Sequence, residues 1–409
     1  MGTRWIWTDR GRRNSGIDEL RGLSILLVVL HHIGIRVPLS QTSLAGLLPH
    51  WLLQGLNFNG AEAVMLFFVI SGFLITRRSQ ERWGELRRIS LGGFYSLRVS
   101  RIVPLLLFVI LVLSSCHLLG IPGFVIEKPG QSLGGALGAA LGLYLNWYEG
   151  IHGYLPGGWD VLWSLSVEEV FYLAFPLACL LLSRVGLLVP ALVLLAVSLP
   201  VTHAALAADC NEIWQEKAYL PGMAAIAVGV LAAMLVHRLQ TPDFKVMLAT
   251  ALMGWVGVCM VLFAGSWVWK IVHHGYGLFL AMAAACIVIS AHWRASLRSS
   301  AQPGLGLEWL RSWGRLSYEI YLSHMFCVFG GLALFNWAGL AGAWRFLWYP
   351  PILLVCWLLG TALSRRFTVP IERGLRRRLR STRVIVPGAA LRAAPPVGRR
   401  LPPGTGARP

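Results

Sequence analysis

Residues 17–34 read IDELRGLSILLVVLHHIG: three charged residues lie in the first five positions, an apolar run follows, and two histidines come near the end. The stretch is nearly as long as the roughly 20 residues that a helix needs to cross a hydrocarbon core about 30 Å thick. No water reaches that core, so the backbone must satisfy its own hydrogen bonds, and a helix does so. This stretch therefore predicts a membrane-spanning helix that carries histidine into the membrane.

The same kind of block recurs along the chain. Apolar residues make up 56% of the 409 residues and charged residues only 13%, well below the quarter or so that is typical of soluble domains. The apolar residues cluster in eleven blocks of 17–22 residues, near 20–37, 60–76, 102–120, 132–148, 163–183, 185–205, 219–237, 245–265, 271–292, 314–335 and 346–366. The pattern predicts an all-α polytopic membrane protein.

The positions of Lys and Arg indicate how many blocks cross. If all eleven crossed, the arginines at 77–101 and those at 294–315 would lie on opposite sides, against the rule that basic residues stay in the cytoplasm. If the glycine-rich block 132–148 does not cross, 31 of the 36 Lys and Arg become cytoplasmic. We therefore predict ten spans, cytoplasmic termini and an outer loop at 121–162 that either stays at the surface or re-enters the membrane. The net charge of +18 then reflects topology, and we expect no nucleic-acid partner.

The blocks divide the chain into a cytoplasmic N-terminal segment (1–16), a transmembrane domain (17–378) and a basic C-terminal tail (379–409). The tail is rich in Arg, Pro, Gly and Ala, a composition that predicts disorder. The N-terminus lacks the apolar region and small-residue cleavage site of a signal peptide, so we expect no cleavage. The seven cysteines contain no C-x-x-C pair, and we expect neither a disulfide framework nor a metal site.

Ionisable side chains inside a span are costly to bury and therefore indicate function. Arg21 lies at the cytoplasmic end of the first span, and His32 lies eleven residues on, about 16 Å deeper and about 20° around the helix. The adjacent His31 points about 100° away, and an ordinary hydrogen bond between helices would suit it. Other spans bring further polar groups into the membrane, which suggests a polar cavity within the bundle. These groups are Glu62, Ser71, Glu168, Glu169 and His324.

Two arginines, Arg98 and Arg101, precede the third span at a spacing that places them on one helical face. Arginines in such a position commonly anchor a span by the positive-inside rule. Arginine is also well suited to bidentate phosphate binding. Together with Arg21, the pair would then form a cytoplasmic mouth for a phosphorylated donor such as coenzyme A. The residues alone leave both interpretations open.

Five motifs follow one another in the sequence. They are Arg21 and His32 with ten residues between them, FFVISGFLI at 67–75, RVSRIVP at 98–104, WSLSVEEVFY at 163–172 and GRLSYEIYLSH at 314–324. In this order they resemble the integral membrane acyltransferase-3 family, bacterial enzymes that O-acylate surface glycans, lipids and some secondary metabolites. The resemblance runs from about residue 17 to residue 372. Val170, Trp313 and Gly374 depart from the family pattern of Gln, Leu and Pro at these positions.

The resemblance implies a multi-pass enzyme of the bacterial cytoplasmic membrane that moves an acyl group from acyl-CoA to a hydroxyl, typically of a sugar. Acyl-CoA would be a co-substrate, with no permanently bound cofactor. It implies that His32 is the essential histidine, that Arg21, Arg98 and Arg101 contact the donor, and that Glu168 belongs to the catalytic site. Neutral imidazole suits a general base for a hydroxyl that attacks a thioester. Whether His32 acts as a base or carries the acyl group stays open, as does the acceptor.

Two other functions fit the same composition. A transporter also places polar groups at the midplane of a bundle, although the chain shows neither an inverted repeat nor paired Gly/Pro-broken helices. A non-catalytic carrier of lipid or glycan would use the same scaffold without transfer. Slow release of free CoA from acyl-CoA distinguishes the enzyme from both alternatives.

We expect both termini in the cytoplasm and residues 121–162 outside, because this arrangement satisfies the positive-inside rule. A reporter that is active only in the cytoplasm should be active when it is fused after residue 409. A cysteine introduced within 121–162, in a variant without the native cysteines, should react with a membrane-impermeant thiol reagent. A C-terminal fusion that behaves as extracytoplasmic contradicts the ten-span topology.

Overall fold

The computed structural model describes residues 14–297, 307–339 and 342–381. Within these ranges 83% of the residues are helical and there is no strand, which confirms the all-α class. Parts of the predicted terminal segments lie outside the described ranges, namely residues 1–13 and 382–409. So does Arg298, one of the arginines that the ten-span topology places in the cytoplasm.

Eighteen α-helices follow one another in the described residues. The first nine are α1 (Ser15–Gly34), α2 (His50–Asn57), α3 (Gly60–Trp83), α4 (Leu91–Leu118), α5 (Leu133–Leu141), α6 (Leu145–His152), α7 (Gly157–Asp160), α8 (Trp163–Leu182) and α9 (Leu188–Val197). The others are α10 (Leu199–Asp209), α11 (Glu212–Lys217), α12 (Tyr219–Arg238), α13 (Phe244–Val272), α14 (Tyr276–Leu297), α15 (Glu308–Arg315), α16 (Ser317–Trp337), α17 (Tyr349–Leu363) and α18 (Val369–Ser381).

Seven helical stretches of the described residues are long and apolar enough to cross a membrane, or eight if α9 and α10, bent by 41°, form one span. The protein is therefore a multi-pass membrane protein. The seven do not include α1, whose first two turns carry Asp18, Glu19 and Arg21. One of the seven is Phe244–Leu297, a stretch of 54 residues that contains both α13 and α14. The ten-span count remains a prediction.

The glycine-rich block 132–148 folds as two short helices, α5 of 9 residues and α6 of 8. Leu143 between them has a φ of 61°, a left-handed conformation that interrupts the helix. At 1.5 Å per residue neither helix is much longer than about 14 Å, which is too short to cross the bilayer.

The centre of the bundle is built by helices that approach one another closely. Helix α3 packs against α1, α12 and α14. Where α3 meets α12, a Cβ atom on Gly72 would lie 2.0 Å from the carbonyl oxygen of Ile226, and one on Gly229 would lie 2.0 Å from that of Val69. Only glycine leaves room for two backbones at this distance.

The first helix is fixed at its beginning. The Asn14 side chain accepts hydrogen bonds from the backbone N–H groups of Gly16 and Ile17, which caps α1. The same side chain donates to the carbonyl oxygen of Ala291 in α14 at 3.0 Å. A Cβ on Gly314 of α15 would lie 1.8 Å from the carbonyl oxygen of Asp18, so α15 also packs directly on the α1 backbone. These contacts set the rotation of α1 and thereby the direction in which its polar residues point.

Gly72→Ala should destabilise the protein, because the added methyl group collides with the α12 backbone, and overpacking of this kind costs about 1–3 kcal/mol or more. The expected result is a lower melting temperature in detergent and less protein in the membrane. Gly330→Ala in α16 is the matched control, since a Cβ there meets nothing within 4 Å. It should leave both quantities unchanged or slightly raised. Equal behaviour of the two variants would contradict the close crossing of α3 and α12.

Candidate active site

A cavity lies between α1, α3, α4, α8 and α16, and its empty space, including the part open to solvent, amounts to about 900 Å³. Its described lining contains four arginines, Arg21, Arg78, Arg98 and Arg101, and a single carboxylate, Glu168. We call it the arginine cavity. The lining carries a net positive charge, so the cavity favours an anionic ligand.

The arginines of this cavity differ in how they are held. Arg21 donates a hydrogen bond of 2.6 Å to the hydroxyl of Ser317, which joins α1 to α16. The Arg98 guanidinium lies over the Tyr172 ring, 3.9 Å from its centroid. Among the described residues, neither Arg98 nor Arg101 has a carboxylate oxygen within the 4.0 Å of an ion pair. Their charges therefore remain available to a ligand.

The carboxylate of the cavity is held by hydroxyl groups from two helices. Ser71 of α3 and Tyr172 of α8 both donate to Oε1 of Glu168. The hydroxyls of Ser71 and Tyr172 also lie 2.5 Å from each other. Gly72, next to Ser71, faces α12, so Ser71 is turned about 100° from that contact and toward the cavity.

The inner end of the cavity is formed by Tyr321, whose hydroxyl lies 2.6 Å from that of Ser164. Beyond it, the Tyr321 ring is 6.0 Å from the ring of His324, and the His324 ring is 5.0 Å from that of His32. Neither histidine is among the residues that line the arginine cavity. In this conformation, Tyr321 stands between the cavity and the two histidines.

The two adjacent histidines of α1 have different surroundings. The Nδ1 atom of His31 is 3.1 Å from the carbonyl oxygen of Asn57, and a Cβ on Gly60 would lie 2.3 Å from the His31 ring. His31 therefore packs against α2 and α3. Arg21 and His32 both face α16 instead, through Ser317 and His324 respectively, as their eleven-residue spacing predicts.

Five of the nine predicted site residues line the arginine cavity, the two histidines lie beyond Tyr321, and Glu62 and Glu169 lie apart. Glu62 accepts a hydrogen bond of 3.0 Å from Tyr276 of α14, away from the arginine cavity. Glu169 is not a lining residue, and its buried Oε1 atom has no hydrogen-bond partner among the described residues. Glu168 is bonded to Ser71 and Tyr172, and the described hydrogen bonds of its carboxylate do not include His32.

Six polar lining residues were not among the predicted site residues, and these are Arg78, Ser164, Tyr172, Ser317, Tyr318 and Tyr321. Their spacing carries a signal. Ser164, Glu168 and Tyr172 follow one another at intervals of four along α8, and Ser317, Tyr321 and His324 at intervals of four and three along α16. Polar residues at this period share one helical face, and in an apolar helix that face turns inward.

A buried ion cluster ties the loop 121–162 to the bundle. The Lys217 ammonium is 2.8 Å from Oε2 of Glu149 and also pairs with Asp160, and it lies 4.4 Å from the centroid of the Tyr154 ring. Burial, together with the nearby Asp160 carboxylate, raises the pKa of Glu149 well above its ordinary value of 4.5, although Lys217 opposes this shift. Burial also raises the pKa of Tyr154 to about 12. Within the described ranges, no group of three or more His, Cys, Asp or Glu side chains is placed to hold a metal ion.

Comparison with known proteins agrees with these motifs. The sequence profile of the acyltransferase-3 family, described as an acyltransferase domain, matches residues 14–365. The chain belongs to the acyltransferase-3 family. The match begins at the cap of α1 and ends in the turn after α17, so it includes every helix that lines the arginine cavity of this acyltransferase-3 protein.

Individual relatives of this acyltransferase-3 chain are distant. It is 29% identical over 163 residues to the O-acetyltransferase OatA of Staphylococcus aureus (strain NCTC 8325 / PS 47). The aligned region covers 40% of this chain and 24% of the relative. This chain is 27% identical over 165 residues to a putative O-acetyltransferase of Staphylococcus aureus (strain COL), covering 39% and 24%. The chain thus spans about a quarter of the length of these relatives. No solved structure matches it significantly.

Proposed function

We propose that this protein is an O-acyltransferase of the bacterial cytoplasmic membrane. It takes an acyl group, often acetyl, from cytoplasmic acyl-CoA and transfers it to a hydroxyl of a glycan, glycolipid or glycosylated metabolite. One observation carries the proposal: four arginines and one hydrogen-bonded carboxylate line a single cavity whose inner end lies beside a pair of histidines. Family membership and the names of the O-acetyltransferase relatives support the same reaction.

The arginine cavity suits the donor. Coenzyme A carries several phosphate charges, and arginine binds phosphate through paired, charge-assisted hydrogen bonds. Arg98 and Arg101 have no carboxylate partner among the described residues, so a phosphate would not have to displace one. In the ten-span topology these arginines face the cytoplasm, where acyl-CoA is made. The pantetheine arm would then extend past Ser71 and Glu168 toward Tyr321.

His32 is the proposed catalyst. The acceptor hydroxyl has a pKa far above 7 and needs a base as it attacks the thioester carbon, a role that neutral imidazole can fill. The acceptor oxygen then bonds to the acyl carbon, the carbon–sulfur bond breaks, and the proton taken up by His32 passes to the coenzyme A thiolate. Contact between the thioester and His32 requires that Tyr321 move, since Tyr321 lines the arginine cavity, is hydrogen-bonded to Ser164 and lies next to His324.

The acceptor would arrive from the other end of the bundle. The 121–162 loop, held there by the Lys217 ion cluster, presents the exposed side chain of Trp147. Aromatic rings of this kind stack on sugar faces, and they also occur as ordinary interfacial residues. The exposed Trp147 ring supports a sugar-bearing acceptor.

The proposal is tested with purified protein in liposomes and acetyl-CoA as the donor. The enzyme should slowly release free CoA, detected with a thiol reagent, because water can replace the missing acceptor. A carrier or transporter would leave the thioester intact. In cells, loss of the gene should remove acyl-sized mass additions from a surface glycan, lipid or metabolite. Absence of both effects would reject the proposed activity.

Arg98→Ala and Arg101→Ala should each weaken acetyl-CoA binding roughly ten- to a hundredfold, because each removes a charge-assisted phosphate contact of about 1.5–3 kcal/mol. The turnover number at saturating acetyl-CoA should fall much less. Arg87→Ala is the matched control: Arg87 is an exposed arginine that precedes the same helix and pairs with Glu85. If Arg98→Ala and Arg101→Ala bind acetyl-CoA normally but accumulate poorly in the membrane, the arginines are topological anchors.

His32→Ala should reduce CoA release and acyl transfer roughly 10²–10⁴-fold, the usual cost of losing a general base. His31→Ala should retain transfer per folded molecule, since it loses a hydrogen bond to Asn57 and packing against α2 and α3, both of which affect stability and not the transfer step. Rates are normalised to the amount of folded protein in the membrane. If His32→Ala inserts normally and keeps more than about a tenth of wild-type activity, His32 is not the base.

A further inference from the structure

The hydrogen bonds of His324 determine which of its ring nitrogens carries the proton. Its side chain is fully buried in α16. The Nδ1 atom lies 2.7 Å from the carbonyl oxygen of Tyr321 and 3.2 Å from that of Ile320. A carbonyl oxygen can only accept a hydrogen bond, so Nδ1 must be the donor. In the neutral ring, Nε2 therefore carries a lone pair.

This lone pair is buried without a partner. Among the described residues, no group forms a hydrogen bond with Nε2 of His324. Buried polar atoms in folded proteins are nearly always paired, and an unpaired one in a native structure requires an explanation. Because Nδ1 is bonded to carbonyls of its own helix, Nε2 lies on the side of the ring that points away from them.

The neighbour on another helix is His32 of α1, whose ring centroid is 5.0 Å from that of His324 at an interplanar angle of 43°. Two imidazole rings joined by an N–H···N hydrogen bond of ~2.9 Å have about this separation between their centroids. The side chain of His32 has no hydrogen bond to another described residue. Rotation of the rings toward each other would therefore give both of them a partner.

Among the described residues, no carboxylate forms an ion pair or a hydrogen bond with the His32 side chain. The Arg36 guanidinium donates a hydrogen bond of 2.7 Å to the backbone carbonyl oxygen of His32, which places a cation one helical turn from the ring. A proton gained by His32 is therefore not neutralised by a described carboxylate, and the lone pair on Nε2 of His324 is the neighbouring group that can stabilise it.

We propose that His324 is a positioning residue for the transfer reaction: its Nε2 accepts a hydrogen bond from a ring N–H of His32. This bond orients the imidazole and stabilises the imidazolium that forms when His32 takes the proton of the acceptor hydroxyl. The proton then leaves His32 for the sulfur of coenzyme A as the carbon–sulfur bond breaks, and His324 keeps its own proton on Nδ1 throughout. The proposal rests on the proposed function of His32 as the base.

Two amide substitutions separate this role from a structural one. His324→Asn places an amide near the position of Nδ1 and retains the bond to the helix carbonyls, but it removes the acceptor at Nε2. His324→Gln places an amide oxygen near the position of Nε2 and retains the acceptor, but it loses the carbonyl bond. The assay measures CoA release from acetyl-CoA by the full chain in liposomes, normalised to folded protein.

His324→Asn should lower the turnover number roughly 10–100-fold, the range known for loss of a partner that orients a metal-ligating histidine, with KM for acetyl-CoA changed less than about twofold. His324→Gln should stay within about tenfold of the wild type. In a background of His32→Ala, His324→Asn should have no further effect, because it acts through His32. The reverse order, with Asn active and Gln inactive, or an additive double variant, would overturn the proposal.

A second measurement does not depend on activity. Nitrogen-15 spectra of histidine-labelled protein, assigned with the His324→Gln variant, should show a protonated Nδ1 and an unprotonated Nε2 at His324. The Nε2 signal should shift in His32→Ala. A protonated Nε2, or one that is indifferent to His32, rejects the His32–His324 bond whether or not the protein releases CoA. If the spectra agree and the wild type releases no CoA, the proposed function fails while the hydrogen bond stands.

Discussion

The cost of placing polar groups in hydrocarbon governs this structure. Backbone groups must be satisfied within helices, and polar side chains must turn toward the interior of the bundle. On α8, Ser164, Glu168 and Tyr172 share one face, and that face lines the arginine cavity. The same constraint turns Arg21 and His32 of α1 toward α16. The cavity arises where several such faces meet.

Close backbone contacts decide the rotation of these helices. Gly72 permits the α12 backbone to lie against α3, and this contact turns the neighbouring Ser71 about 100° away, where it meets Glu168. Gly314 similarly brings α15 onto the first turns of α1, near Arg21. A methyl group at either position would separate the helices and shift the polar residues beside it. Packing and chemistry are therefore linked through single glycine positions.

The polar residues of the interior form two neighbouring groups. The arginine cavity contains positive charge and the hydrogen-bonded Glu168, whereas His32 and His324 lie beyond Tyr321. Tyr321 contacts both: its hydroxyl is bonded to Ser164, and its ring lies near His324. In this arrangement a charged donor would bind at one end of the bundle, with the catalytic histidine near the middle of the bundle. In the proposed reaction, the separation also limits the access of water to the thioester.

The sequence by itself determined the helical membrane class, the family motifs and the shared face of Arg21 and His32, because hydropathy and helical period depend on neighbouring residues alone. The positions of Lys and Arg predicted that 132–148 does not cross the membrane, and the structure has two short helices there. Only the tertiary structure decided that Glu168 pairs with Ser71 and Tyr172, that Glu62 turns toward Tyr276, and that Arg78 joins the cavity. These partners lie on different helices, and their meeting depends on the rotation and crossing of those helices, which local spacing does not specify.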